Sequence, residues 1–184
     1  MKRLTDIVLS LIALVLLSPV LLLAALAVVF DSGWPVLFRQ TRVGLGGHEF
    51  GLFKFRSMVK NAASTGPYFT QVNDARITRV GQFFRRTSID ELPQIINVLL
   101  GDMSLVGPRP DVPVQKSLYS PEDWVRRCSV RPGITGLAQV KGRSTVTMEQ
   151  RLALDLTYAS QVSWWGDIQI MWWTVCQLSG KQSN

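Results

Sequence analysis

Two adjacent carboxylates, Asp90 and Glu91, lie in Thr87-Ser88-Ile89-Asp90-Glu91-Leu92-Pro93-Gln94, at what reads as the start of a helix. The macrodipole favours an ionised carboxylate in a first helical turn, where it can serve as a metal ligand or a nucleophile. The same spacing also fits a structural role, a capping box with Ser88 as N-cap and Glu91 three residues on. What tilts the pair toward chemistry is its company. Lys54, Arg56, Arg85, Arg86, Arg109 and Arg143 sit in or beside glycine- and proline-rich loops instead of along a polar helix face. Arg109, between Pro108 and Pro110, rides on a backbone with little freedom, which preorganises its guanidinium for phosphate. Taken singly, each arginine reads more readily as a surface salt bridge or a solvated charge. Paired acids with converging cations suggest Mg²⁺-dependent chemistry on a phosphorylated substrate. His48 is the only histidine; it reads as a turn residue, which argues against histidine-based triads and histidine-rich metal sites.

The elements that must position these groups follow from pattern. Val36 to Arg42 and Glu49 to Arg56 read as two strands joined through Gly44-Leu45-Gly46-Gly47, a hairpin turn in which glycine can take positive φ. A period of two puts Lys54 and Arg56 on one face of the second strand and Phe53 and Phe55 on the other. Ala62 to Asp74 reads as a loop, Phe83 to Arg86 as a helix end, and Leu92 to Leu100 as a helix stopped by Gly101. Leu105-Val106-Gly107-Pro108-Arg109-Pro110 is a stiff extended segment, and Arg131-Pro132-Gly133-Ile134-Thr135-Gly136 a loop. Further helices are expected over Met148 to Ser160 and from Asp167, as N-cap, to about Leu178, with Gly180 as a stop. Trp164, Trp165, Trp172 and Trp173 crowd the end of the chain. They suit either core packing or the membrane–water interface, and two adjacent pairs cannot all face one core.

The 184 residues suffice for one domain with a real core, over 1–184, but not for two typical ones. With 47% hydrophobic residues, 20 Lys+Arg against 13 Asp+Glu and a net charge of +7, the chain is not disordered. A multi-span transporter is excluded because most of the apolar content is one N-terminal block. Cys128 and Cys176 are too far apart for a CxxC metal site and read as free thiols in a reducing compartment. From Ile7 to Phe30, 24 residues carry no charge, long enough for a transmembrane helix. A secretory signal is disfavoured by that length and by Pro19 in its middle. Lys2 and Arg3 precede the block and Arg39, Arg42, Lys54 and Arg56 follow it, so the positive-inside rule sees no asymmetry. Each half, about 12 residues and ~18 Å long, falls short of a ~30 Å hydrocarbon core. A re-entrant helix–break–helix hinged at Ser18-Pro19 (residues 1–32), leaving 33–184 at the membrane surface, and a kinked span both fit the physics. Ser18 can lend its hydroxyl to a carbonyl one turn back.

The chain resembles the monotopic phosphoglycosyl transferases, also called bacterial sugar transferases or polyprenyl-phosphate sugar-phosphotransferases, in their minimal catalytic form. The likeness covers nearly the whole chain and rests on Ser18-Pro19, Phe38-Arg39-Gln40 with Arg42-Val43-Gly44, and Lys54-Phe55-Arg56-Ser57-Met58. It continues through Arg86 to Gln94, Gly101 to Pro110 and Arg131 to Gly136. Ile89 stands where Leu is commoner in the family, and Trp34 interrupts the usual Gly-Pro after the apolar block. The resemblance implies an α+β, mainly helical fold with a re-entrant membrane helix, a short β-hairpin and amphipathic interfacial helices. It implies transfer of a sugar-1-phosphate from a UDP-sugar to undecaprenyl phosphate with release of UMP, the first membrane step of bacterial glycoconjugate assembly such as exopolysaccharide or lipopolysaccharide biosynthesis. Asp90 would be the nucleophile of a ping-pong route through an aspartyl-phosphosugar. Mg²⁺ would bridge Asp90, Glu91 and the diphosphate, with Lys54 and Arg109 facing phosphate and Arg85, Arg86 and Arg143 as further candidates. The implied location is the cytoplasmic face of the inner membrane, held by membrane lipid and without nucleic acid; a homodimer stays open. The alternative is a non-catalytic module whose charge of +7 holds it on anionic lipid.

Overall fold

The computed structural model describes residues 1–62, 74–142 and 146–178; Arg143, Gly180 and most of the loop expected over 62–74 lie outside the described residues. The apolar block forms one α-helix, α1 (Lys2–Ser32), which runs through Pro19, so the break expected at Ser18-Pro19 is not a gap in helical structure. The reason is local. Proline has no amide to give the Val15 carbonyl four residues back, and the Ser18 hydroxyl donates to that carbonyl at 2.8 Å. The acceptor that Pro19 orphans is satisfied inside the helix, as apolar surroundings require. Most of the apolar side chains of α1 are exposed, Val15, Leu16, Leu22, Leu23 and Phe30 among them.

Both ends of α1 are fastened to the rest of the protein. At the N-terminal end Lys2 Nζ donates to Val106 O (3.0 Å) and pairs with Asp167 (2.5 Å). Arg3 donates to the carbonyls of Val98 (2.5 Å) and Leu99 (3.1 Å). The buried Asp6 carboxylate accepts from the Ser104 hydroxyl (2.9 Å) and the Leu105 amide (3.1 Å). At the other end Ala24 and Val28 pack with Val36, Phe55 and Phe84.

The hairpin forms as expected: β1 (Leu37–Val43) and β2 (Glu49–Phe55) are antiparallel, with Leu37 opposite Phe55 and Val43 opposite Glu49. Gly46 (φ 64°) and Gly47 (φ 82°) make the turn, in the left-handed region that glycine occupies without a Cβ clash. Along the outer edge of β2 the buried Asn97 side chain acts as a substitute strand, donating to Gly51 O (2.8 Å) and accepting from Phe53 N (2.9 Å). Asn97 belongs to α3 (Gln94–Leu100), which ends at Gly101, φ 97°. Before it, α2 (Arg79–Thr87) leads through the left-handed Ser88 into a 3₁₀ turn, Ile89–Glu91.

The segments after Gly101 pair in a way that periodicity did not reveal. β3 (Ser104–Val106) and β4 (Gly133–Thr135) form a two-stranded parallel sheet. Gly107 and Gly133 permit it: a Cβ on Gly107 would lie 2.2 Å from Arg131 O, and one on Gly133 2.1 Å from Gly107 N. Between these strands lie a 3₁₀ stretch, Pro113–Leu118, and α4 (Pro121–Arg127), capped by Ser120. The chain closes with α5 (Leu137–Gly142), α6 (Met148–Ser160), capped by a Thr147–Gln150 box, and α7 (Trp164–Leu178). The last helix starts three residues before the expected N-cap. Ser163 Oγ accepts from Gly166 N (3.1 Å), and Asp167 turns inward to accept from Tyr158 OH (2.8 Å) and Lys2. Trp165 and Trp172 are exposed; Trp164 packs edge-on against Trp165 and donates to Thr5 Oγ1 (3.3 Å), beside the N-terminal end of α1. The architecture is α+β and mainly helical, as the sequence leads one to expect.

Candidate active site

The structure brings Asp90, Glu91, Lys54, Arg85 and Arg109 together from four places in the fold. The 3₁₀ turn presents the two acids, the end of β2 brings Lys54, the last turn of α2 brings Arg85, and the segment after β3 brings Arg109. Glu91 Oε1 accepts from Lys54 Nζ (2.8 Å) and Arg109 Nη2 (2.5 Å), while Oε2 accepts from Arg109 Nη1 (3.2 Å). Burial pushes the Glu91 carboxyl up, but Arg109 and then Lys54 outweigh it and hold it at about 2. The expected capping box does not form. Ser88, at φ 59°, is outside the extended conformation an N-cap needs and makes no side-chain cap bond, and both oxygens of Glu91 are turned to cations instead.

Asp90 meets the opposite environment. It is buried, and among the described residues its carboxylate enters no ion pair. Burial pushes its carboxyl above the ordinary range; Lys54, Arg85 and its own amide draw it back, and the neighbouring Glu91 adds to the rise. The pair is therefore one carboxylate locked by cations and one left open.

The remaining candidates divide. Arg85 Nε donates to Ser57 Oγ (2.9 Å), which fixes its stem at the rim of the site. Arg86 is exposed on the outer side of α2 and makes no ion pair among the described residues. Arg56 does not project beside Lys54, since β2 ends at Phe55 and the alternation ends with it. Its buried guanidinium donates instead to Ser32 Oγ (2.9 Å) and Gly33 O, closing the C-terminal end of α1. Arg143 lies outside the described residues.

Several residues that shape the site escaped the sequence reading. Arg42, on β1, donates to Pro110 O (2.9 Å); burial and the nearby Arg109 lower its pKa. Behind Arg109 lies an ion network. Asp111 accepts from Arg127 (2.8 Å), Arg151 (2.8 Å) and Tyr119 OH (2.6 Å), and Asp155 pairs with Arg127 at 2.9 Å and Arg151 at 3.8 Å. Its one visible sequence signal is the i, i+4 spacing of Arg151 and Asp155 on α6.

The profile of the bacterial sugar transferase family matches residues 1–181. The chain belongs to the bacterial sugar transferase family. Among curated relatives, a UDP-glucose:undecaprenyl-phosphate glucose-1-phosphate transferase of Caulobacter vibrioides is 46% identical over 96% of this chain and 69% of its own length. The Escherichia coli K12 protein of the same name is 47% identical over 95% of this chain and 39% of its own length. A UDP-N-acetylgalactosamine-undecaprenyl-phosphate N-acetylgalactosaminephosphotransferase of Aeromonas hydrophila is 42% identical over 95% of this chain and 42% of its own length. This sugar transferase thus spans about two fifths of the last two relatives.

Whether the site of the sugar transferase suits Mg²⁺ can be judged from its donors. Among the described residues no three His, Cys, Asp or Glu side chains cluster, and both oxygens of Glu91 already accept from Lys54 or Arg109. One open carboxylate, Asp90, remains. That is a sufficient protein contribution for an ion that keeps several waters and takes other ligands from substrate phosphates. The donor set fits a substrate-shared Mg²⁺ on Asp90 better than a cage built from both acids.

Proposed function

We propose that this sugar transferase moves a sugar-1-phosphate from a UDP-sugar to undecaprenyl phosphate, with Asp90 as the nucleophile. The supporting observation is the asymmetry of the acid pair: Glu91 is neutralised in a double cationic clasp, while the adjacent Asp90 carboxylate is buried and, among the described residues, in no ion pair. In the first step an Asp90 oxygen attacks the sugar-bearing phosphorus, the bond from that phosphorus to the bridging oxygen breaks, and UMP leaves with the electron pair. In the second step an oxygen of undecaprenyl phosphate attacks the same phosphorus and Asp90 departs as a carboxylate. Covalent catalysis of this kind lets one site serve a soluble and a lipid phosphate in turn. Arg109 and Lys54 hold phosphate oxygens, and Arg85 lies close enough to Asp90 to favour its charged form. Mg²⁺ held by Asp90 would neutralise charge on the diphosphate.

We further infer that α1 enters the cytoplasmic face of the bacterial inner membrane and returns. Its two ends are fastened to the same body, through Lys2, Arg3 and Asp6 at one and Arg56 with Val28 at the other, while its middle exposes apolar side chains. The experiment on the chemistry uses a sugar-labelled UDP-sugar without lipid acceptor. The wild-type chain should retain label after denaturation and release UMP in equal amount. Asp90→Asn should do neither while staying folded and membrane-bound; stoichiometric labelling of that variant would refute the reading.

A further inference from the structure

Three arginines from other elements converge on the backbone that carries Arg109. Arg109 O accepts from Arg127 Nη2 (2.6 Å) and Arg151 Nη2 (3.2 Å), and Pro110 O accepts from Arg42 Nη1 (2.9 Å). These carbonyls need such partners, because the last backbone donor from the facing segment, Gly133 N, goes to Pro108 O (2.9 Å), and the next two carbonyls must find donors on side chains. Arg127 and Arg151 are balanced by Asp111 and Asp155, so charge alone does not require them to reach Arg109. The donors they have left over are nevertheless spent on its carbonyl. Asp111, Asp155 and Arg127 are 1%, 2% and 5% exposed, and a network packed that tightly has little room to tilt. It fixes the Arg109 peptide from behind while Glu91 holds the guanidinium in front.

We propose that Arg151 on α6, acting with Arg127, is a positioning residue for phosphate binding: it orients the Arg109 peptide, and through it the guanidinium, without touching substrate. The inference rests on the reading of Arg109 as a phosphate-holding residue. It gives α6, which brings none of the groups that meet substrate, a part in the reaction.

The test is a double-mutant cycle on the full chain in lipid nanodiscs, reading kcat and KM for UMP release with undecaprenyl phosphate and the fastest UDP-sugar. Arg151→Met keeps the aliphatic stem and removes the donors. It should lower kcat/KM for the UDP-sugar by on the order of ten- to a hundredfold, the scale of a displaced binding group. Arg151→Lys, which keeps a charge opposite Asp111, should recover part of that loss. In an Arg109→Lys background the cation is a point charge on a flexible stem and does not depend on peptide orientation. There Arg151→Met should cost less than about twofold. Equal losses in both backgrounds, or wild-type kcat/KM in Arg151→Met, would overturn the proposal. If Arg151→Met fails to fold, Arg151→Lys carries the same cycle and is judged by the same equality. Full activity in Arg109→Ala would instead refute the reading of Arg109 itself.

Discussion

A single peptide bond separates Asp90 from Glu91, yet the two carboxyls have opposite surroundings, and the division of labour between them follows. Glu91 is paired twice and its acidity is strengthened; Asp90 is desolvated and, among the described residues, in no ion pair, which makes its ionised form a less stabilised and more reactive oxygen nucleophile. The sign of the pH effect on stability is set by Glu91. Its carboxyl falls from the ordinary 4.5 to about 2 on folding. The ionised form therefore contributes stability that is complete above the unfolded value and lost as pH drops toward the folded one. Denaturant unfolding of the micelle-bound protein between about pH 6 and pH 3 should show stability declining with acid, and Glu91→Gln should flatten part of that decline. A variant that keeps the full slope would show that the clasp contributes little. The clasp was only half legible in the sequence. Asp90, Glu91, Lys54 and Arg109 were marked by type and by their loops, but a capping box and a cation clasp use the same Glu91, and only the positive φ of Ser88 decides between them.

At the scale of elements, the site depends on short pieces held edge to edge. The hairpin was readable because its turn carries glycines, and the helix expected over Met148 to Ser160 formed with those bounds; the Thr147–Gln150 box that caps it shows only in the structure. The β3–β4 pair was not readable, since each strand has three residues, too few for any alternation to show. Its glycines give a sharper handle than its sequence pattern. Gly107→Ala would push a methyl group against the Arg131 carbonyl, so it should destabilise the fold by about 1–3 kcal/mol through overpacking. It should also lower activity, because Arg109 lies two residues on. A melting temperature within a degree or so of wild type would show that the sheet can part at no cost. Arg56 teaches a related lesson: strand alternation predicts a shared face only as far as the strand extends.

At the scale of the molecule, the long apolar helix is joined to the site-bearing elements at both ends. Single cysteines in place of the exposed Leu4 and Trp34 should be labelled from the same side of sealed inner-membrane vesicles by an impermeant maleimide. Opposite-side labelling would mean a span and would break the proposed topology. The charge of +7 was visible from composition, but its deployment was not: Lys2, Arg3 and Arg56 fasten the long apolar helix to the rest of the protein, while Lys54, Arg85 and Arg109 gather around the acid pair. A practical consequence concerns anyone wishing for a water-soluble form. Trimming residues 1–32 would strip partners from the Ser104 hydroxyl, the Leu105 amide and the Arg56 guanidinium at once, so the rest of the chain should lose stability without its long helix. Solubility would have to come from repainting the outer face of the helix, at Val15, Leu16, Leu22 and Leu23, with polar side chains while Lys2, Arg3 and Asp6 are left in place.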